Sequence, residues 1–179
     1  MTTRAQLRKT ALSLPETVEQ DAGARAIAFA VDDTRFAIAT ADGLVELLLT
    51  PSDAEEVLAA HPTAERWVRA ATPVGVRIRL ADINGQQLNH WVRRAWLSAA
   101  PTRLAARAAE ADRAAPGAVG DLPKAIGGPA TRALASAGVT TLDQVAAMGR
   151  AELSALHGVG PKAVRILDET LAATGRTLA

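Results

Sequence analysis

The sequence predicts an α+β domain built on an antiparallel sheet, followed by a small all-helical domain. Between Ala26 and Leu49, and again between Val74 and Leu80, apolar side chains alternate with a period of two, the signature of half-buried strands. Between Asn84 and Ala99 they recur at helical spacing. After residue 121 every apolar pattern is helical and is punctuated by glycine.

The elements follow in order. Residues 2–13 form a short amphipathic helix with Leu7, Ala11 and Leu14 on one side, ended by Leu14-Pro15. "AIAFAV" sets Ile27, Phe29 and Val31 on one face, and Asp32-Asp33 turns the chain. "TRFAIAT" returns, "ADG" (Ala41–Gly43) turns again and "LVELLL" makes a third strand, giving a meander. Ser52 and Glu55 have capping-box spacing at the start of an acidic helix. "VGVRIRL" puts Val76, Ile78 and Leu80 on one face and Arg77 and Arg79 on the other. Asn84 and Gln87 frame the next helix, whose stripe is Leu88, Trp91, Val92, Ala95 and Trp96. Residues 102–115 are alanine with scattered charge, helical by propensity, with Leu104 as their only large apolar residue. The boundaries read from this are an α+β domain over 1–114, a flexible linker over 115–121 ("APGAVGD") and a helical domain over 122–179.

The helical segment contains an internal echo at an offset of 33 residues. "IGGPATRAL" aligns with "VGPKAVRIL", so that Gly127, Ala130, Arg132 and Leu134 match Gly160, Ala163, Arg165 and Leu167. Thr141 and Gln144 form a second capping box, and Gly175 stands past the last helix as its C-cap.

Composition narrows the function. The 179 residues carry a net charge of +1, which gives no global field toward nucleic acid or a membrane. That sum hides an asymmetry: residues 1–65 carry −6, residues 66–115 carry +6 and the rest nearly balance. With no cysteine, disulfides, thiolate catalysis and cysteine-ligated metals are excluded. The first twenty residues lack an apolar targeting core and no long apolar window occurs, so a soluble cytoplasmic protein with no membrane partner is expected.

"LHGVGPKAV" (Leu156–Val164) holds the most specific chemistry. Gly158 and Gly160 permit a tight bend with φ > 0, Val159 points inward, and Pro161 opens a helix where its missing N–H is harmless. Bare amides at the bend and helix start form a nest for an anion, with the Lys162 ammonium beside it. Such a seat takes a backbone phosphate and reads no base. These residues resemble a helix-hairpin-helix motif. Leu122–Ala173 is similar to the C-terminal helix-hairpin-helix domain of RNA polymerase alpha, in which a degenerate hairpin pairs with a proper one. The resemblance implies phosphate contacts from Gly158, Val159, Gly160 and Lys162, with Arg165 and Arg132 as further candidates. The first copy departs from the pattern, carrying Pro129 where the second has Lys162.

The N-terminal half, through "LSLPETVE", "FAVDDTRFAIATADGLVELLLTPSDAEEVLAAHP" and "VRIRLADINGQQLNHWVRRAWLSAAPTRLAAR", resembles the MmcQ/YjbR family. That resemblance implies a frataxin-like, double-wing α+β fold and a DNA-binding role. Glu46 stands where that family usually keeps a lysine. Arg77, Arg79, Arg93 and Arg94, preceded by Arg66 and Arg69, offer a basic face able to follow a phosphate backbone. The competing expectation is internal pairing, with the acidic segment neutralising the basic one.

No catalytic constellation is present. His61, His90 and His157 lie far apart with no metal-ligand spacing, Asp32-Asp33 is accounted for by turn chemistry, and no phosphate-binding P-loop or nucleophile elbow occurs. All five aromatic residues, Phe29, Phe36, Trp67, Trp91 and Trp96, precede the linker, so the helical domain has no base-stacking platform. The expectation is a non-enzymatic protein with no cofactor and no metal, binding duplex DNA weakly and without sequence preference. The alternative is a module in which the helical domain docks another protein.

Overall fold

The computed structural model describes residues 2–179. The chain divides into two compact units, the first ending at Pro101 and the second comprising Thr102–Ala179. The class is mixed α+β, with a six-stranded antiparallel sheet and several helices.

The first unit contains that sheet: β1 (Thr17–Asp21), β2 (Ile27–Val31), β3 (Thr34–Ala39), β4 (Leu44–Leu48), β5 (Glu65–Arg69) and β6 (Thr72–Arg79). The order is β1-β2-β3-β4-β6-β5, so β1 and β5 are its edges. Two-residue turns at Asp32-Asp33 and Ala70-Ala71 have positive φ at both positions (48° and 61°, 47° and 66°). That left-handed geometry matches the twist of the flanking strands.

One face of the sheet is the core. Phe29, Val31, Val45, Leu47, Val76 and Ile78 are all buried, and register places them on the same side. Helices α1 (Arg4–Leu12), α2 (Pro51–Ala60) and α3 (Gly85–Ala99) pack there, α3 against β2, β3 and β4, and α2 against β5 and β6. The α3 stripe of Leu88, Trp91, Val92, Ala95 and Trp96 is buried as its spacing predicts. Trp96 Nε1 donates to the Pro15 carbonyl at 3.1 Å, which satisfies its one polar atom. The opposite face carries a smaller apolar cluster of Ala28, Ile38 and Trp67.

The structure adds two strands to the expected four. β1 (TVEQD) and β5 (ERWVR) are edge strands with too few apolar residues to show alternation. It also moves a cap. Thr50, not Ser52, is the N-cap of α2: its hydroxyl accepts from the Asp53 amide at 3.2 Å, and Pro51 takes the first helical position. The Asn84–Gln87 and Thr141–Gln144 capping boxes are both formed.

The second unit begins earlier than the sequence implies. Helix α4 (Thr102–Arg113) buries Leu104, Ala108 and Ala111 and packs on α5 (Gly127–Ser136). The expected linker is largely structured. A β-carbon on Gly120 would stand 1.9 Å from the Thr140 carbonyl oxygen, so only glycine fits. Asp121 Oδ1 accepts the Leu142 amide at 2.7 Å, capping α6 (Leu142–Ala146), and Val119 and Leu122 join the core. α7 (Arg150–Ala155) and α8 (Pro161–Ala173) complete the unit. Past α8, Gly175 (φ 72°) donates to Ala172 and Arg176 to Leu171, the paired bonds of a Schellman cap. Among the described residues no helix is long and apolar enough to cross a membrane.

Candidate nucleic-acid interface

The bend between α7 and α8 is built from the sequence as follows. Helix α7 ends at Ala155, and the Val159 N–H closes the turn by donating to the Leu156 carbonyl at 3.0 Å. The Val159 side chain is buried between the helices. Gly158 is required twice over. Its φ is 103°, and a β-carbon there would stand 2.9 Å from the Pro129 carbonyl oxygen and 3.4 Å from the Ala133 methyl. The second hairpin thus rests directly on the first turn of α5.

Gly160 serves for a different reason. Its φ of −83° and ψ of 170° are ordinary extended backbone, so the expected positive φ occurs at Gly158 alone. No atom lies within 4 Å of where a Gly160 side chain would begin. As N-cap of α8 it offers no side-chain oxygen to the helix amides. Its carbonyl accepts from Ala163 at 2.9 Å and Val164 at 3.1 Å. The amides of Gly158, Gly160 and Lys162 have no acceptor among the described residues, and all three residues are exposed. The helix dipole adds partial positive charge at the same point.

The surrounding charges differ in availability. Lys162 is exposed and forms no ion pair among the described residues. Arg165 lies 3.6 Å from Glu169 in an i,i+4 pair with both side chains about 70% exposed, a weak interaction. Arg132 is exposed on α5, its guanidinium folded back so that Nη1 is 3.0 Å from where a Gly128 β-carbon would stand. The internal echo is real in packing, since Ala130, Leu134, Ala163 and Leu167 are all buried. It is broken in charge, because Pro129 replaces the lysine.

The basic residues of the first unit do not form one surface. Arg77 and Arg79 project from β6 on the face opposite the core, whereas Arg93 and Arg94 lie on α3, which packs on the core face. Carboxylates engage several of them. Arg77 faces Glu46 across β6 and β4 and donates to it through Nε at 2.9 Å and through Nη2. Arg94 donates to the buried Asp53 through Nε at 3.0 Å and Nη2 at 2.6 Å. Arg66 pairs with Glu55 at 2.5 Å. The Asp42 carboxyl is held below its ordinary value chiefly by a hydrogen bond with Thr40, and more weakly by the charges of Arg79 and Arg77. Glu46 therefore has a reason to sit among leucines: it is the internal counter-charge of Arg77. An isolated acid inside an apolar strand was the sequence signal for that pair. The Asp53–Arg94 pair joins residues 41 apart and left no such trace.

The histidines stay separate. His61 is buried at the end of α2, His90 packs edge-on to Trp91 with ring centroids 4.6 Å apart, and His157 is exposed in the bend. Among the described residues no three His, Asp or Glu side chains gather where a metal ion could be held. An open cavity of about 640 Å³ lies beside β1, lined by Arg8, Leu12, Glu19 and Arg25 among others; Arg8 and Glu19 neutralise each other across it at 2.6 Å. No protein-family model, curated protein or solved structure matches the chain.

Proposed function

We propose that this protein binds duplex DNA without catalysis and largely without sequence preference, through backbone phosphates held at the α7–α8 bend. The observation that carries this reading is the set of amides at Gly158, Gly160 and Lys162, uncommitted among the described residues and exposed at a helix N-terminus beside the Lys162 ammonium group. An anion seated there receives charge-assisted hydrogen bonds and the helix dipole together. Arg132 and Arg165 would supply further contacts, for roughly three phosphates in all. The seat contains no group that reaches base edges, so sequence discrimination is not expected.

A salt titration of duplex affinity tests this. Three phosphate contacts give a log–log slope near −2.7. Lys162→Glu should weaken binding to unrelated sequences equally and reduce the slope by about one. An absence of duplex binding at low salt, or an unaffected Lys162→Glu variant, would instead favour docking of another protein on the helical unit.

A further inference from the structure

The sheet ends in two open edges that differ in how they would meet a copy of themselves. β1 reads Thr-Val-Glu-Gln-Asp. Paired antiparallel with a second β1 about its centre, it sets Glu19 against Glu19, a like-charge contact that disfavours association. Two of its side chains are also engaged within the chain, Glu19 by Arg8 and Gln20 by Arg35.

β5 reads Glu65-Arg66-Trp67-Val68-Arg69 and has the opposite character. Centred on Trp67, antiparallel self-pairing sets Glu65 of one copy opposite Arg69 of the other, and two-fold symmetry makes this contact twice. Arg66 then faces Val68. Glu65 and Arg69 are both exposed, and neither forms an ion pair among the described residues. The Arg69 guanidinium lies 5.6 Å from the centre of the Trp67 ring, a contact that leaves its N–H groups available. Arg66, which would meet no opposite charge in this arrangement, is already held by Glu55. Val68 is 50% exposed, as much as Val18 on the β1 edge, so the two edges differ in their charges and not in exposed apolar surface. Edge strands are usually blunted by charge, but here the two unpaired charges complement a second copy instead of repelling it.

We propose that the β5 edge is a self-complementary docking surface for a second copy of this chain, joining two six-stranded sheets across a two-fold axis. A five-residue strand pair buries less than a standard interface, so the dimer is a weak one, with Kd on the order of 10–100 µM.

Sedimentation equilibrium of the full chain without DNA, at ~10–500 µM, tests this. The wild type should show monomer–dimer exchange. Glu65→Arg and Arg69→Glu should each weaken self-association by tenfold or more, because each turns two attractive contacts into two repulsive ones. Mixed together, these two variants should associate, since arginines at positions 65 and 69 of one then meet glutamates at positions 69 and 65 of the other. Glu65 lies opposite Arg77 in register, so the fold of Glu65→Arg is checked by circular dichroism. Should that variant not fold, Arg69→Glu alone decides, by becoming monomeric. A wild type that stays monomeric throughout, single variants that still dimerise, or folded variants that do not associate on mixing would each overturn the proposal.

Discussion

Gly160→Asp separates a phosphate seat from a purely structural hairpin. Gly160 is the N-cap of α8, with φ −83° and ψ 170°, and no atom stands within 4 Å of a side chain added there. A carboxylate at an N-cap accepts from the amides of the second or third helical residue, here Lys162 or Ala163. Replacing glycine by aspartate at such a position gains a few tenths of a kcal/mol, and the helix dipole adds a similar amount, for a total of about 0.5–1 kcal/mol. For a unit of this size that raises Tm by roughly 2–8 °C, read by circular dichroism. Duplex binding should move the other way. The carboxylate occupies the amides a phosphate needs and repels the incoming anion; losing a charge-assisted hydrogen bond worth about 1.5–3 kcal/mol weakens binding by roughly 10- to 150-fold. Fluorescence anisotropy with a labelled duplex of arbitrary sequence, at low salt, measures this. A variant that is more stable and binds as tightly as the wild type would show that no phosphate sits at the bend. A variant that is less stable would refute the open N-terminus on which the reasoning depends.

Arg94→Leu strips the Asp53 carboxylate, 4% exposed, of both its guanidinium hydrogen bonds and leaves it, among the described residues, only the Thr50 hydroxyl. Because the Arg94 side chain is itself 44% exposed, water recovers part of the loss, and a cost of about 2 kcal/mol is expected instead of the 3–5 of a fully buried pair. All three tryptophans lie in the first unit, so urea unfolding followed by fluorescence reads that unit alone, and duplex affinity should not change. Ala71→Gly relieves a left-handed alanine at φ 66° and should stabilise the same unit by about 0.5–1 kcal/mol in the same assay. Asp121→Ala removes the acceptor of the Leu142 amide. It should cost the second unit about 1 kcal/mol, visible in helix dichroism and silent in tryptophan fluorescence.

What was legible in the sequence follows how locally each feature is determined. β2, β3, β4, β6 and α3 declared themselves because apolar side chains recur along each of them at the spacing of a strand or a helix. β1 and β5 pair on one side only and carry a single apolar pattern residue or two, so no period survives to be read. The linker expected over 115–121 misled by composition, while the helix expected over 102–115 is present as α4 but packs with the second unit. Alanine and glycine in 115–121 resemble a linker, yet it is the missing side chain that lets the Gly120 backbone lie against Thr140, and small side chains likewise let α4 approach α5 closely. The hairpin was readable because its demands are local: a positive φ at Gly158, an inward Val159 and a proline at the helix start. That Gly160 matters through empty space and not through its own φ depends on what surrounds it, which no local pattern records.

The segmental charge asymmetry carries a further lesson about where to look for an anion. Arg66, Arg77 and Arg94 all come from the basic stretch, and Glu55, Glu46 and Asp53, their partners, all come from the acidic one. The −6 and +6 segments thus meet each other across strands, between strand and helix and between helices, and three arginines of the cationic run are the half-exposed partners of carboxylates from the acidic one. An arginine held in this way brings little to a phosphate, because binding must first break a contact that is already formed. Lys162 and the amides beside it have no such contact to break among the described residues. A nucleic-acid reading of this chain therefore rests on the α7–α8 bend, where the Lys162 ammonium and three N–H groups remain uncommitted among the described residues, and substitutions at Gly160 and Lys162 decide it while substitutions at Arg77 and Arg94 register as changes in stability.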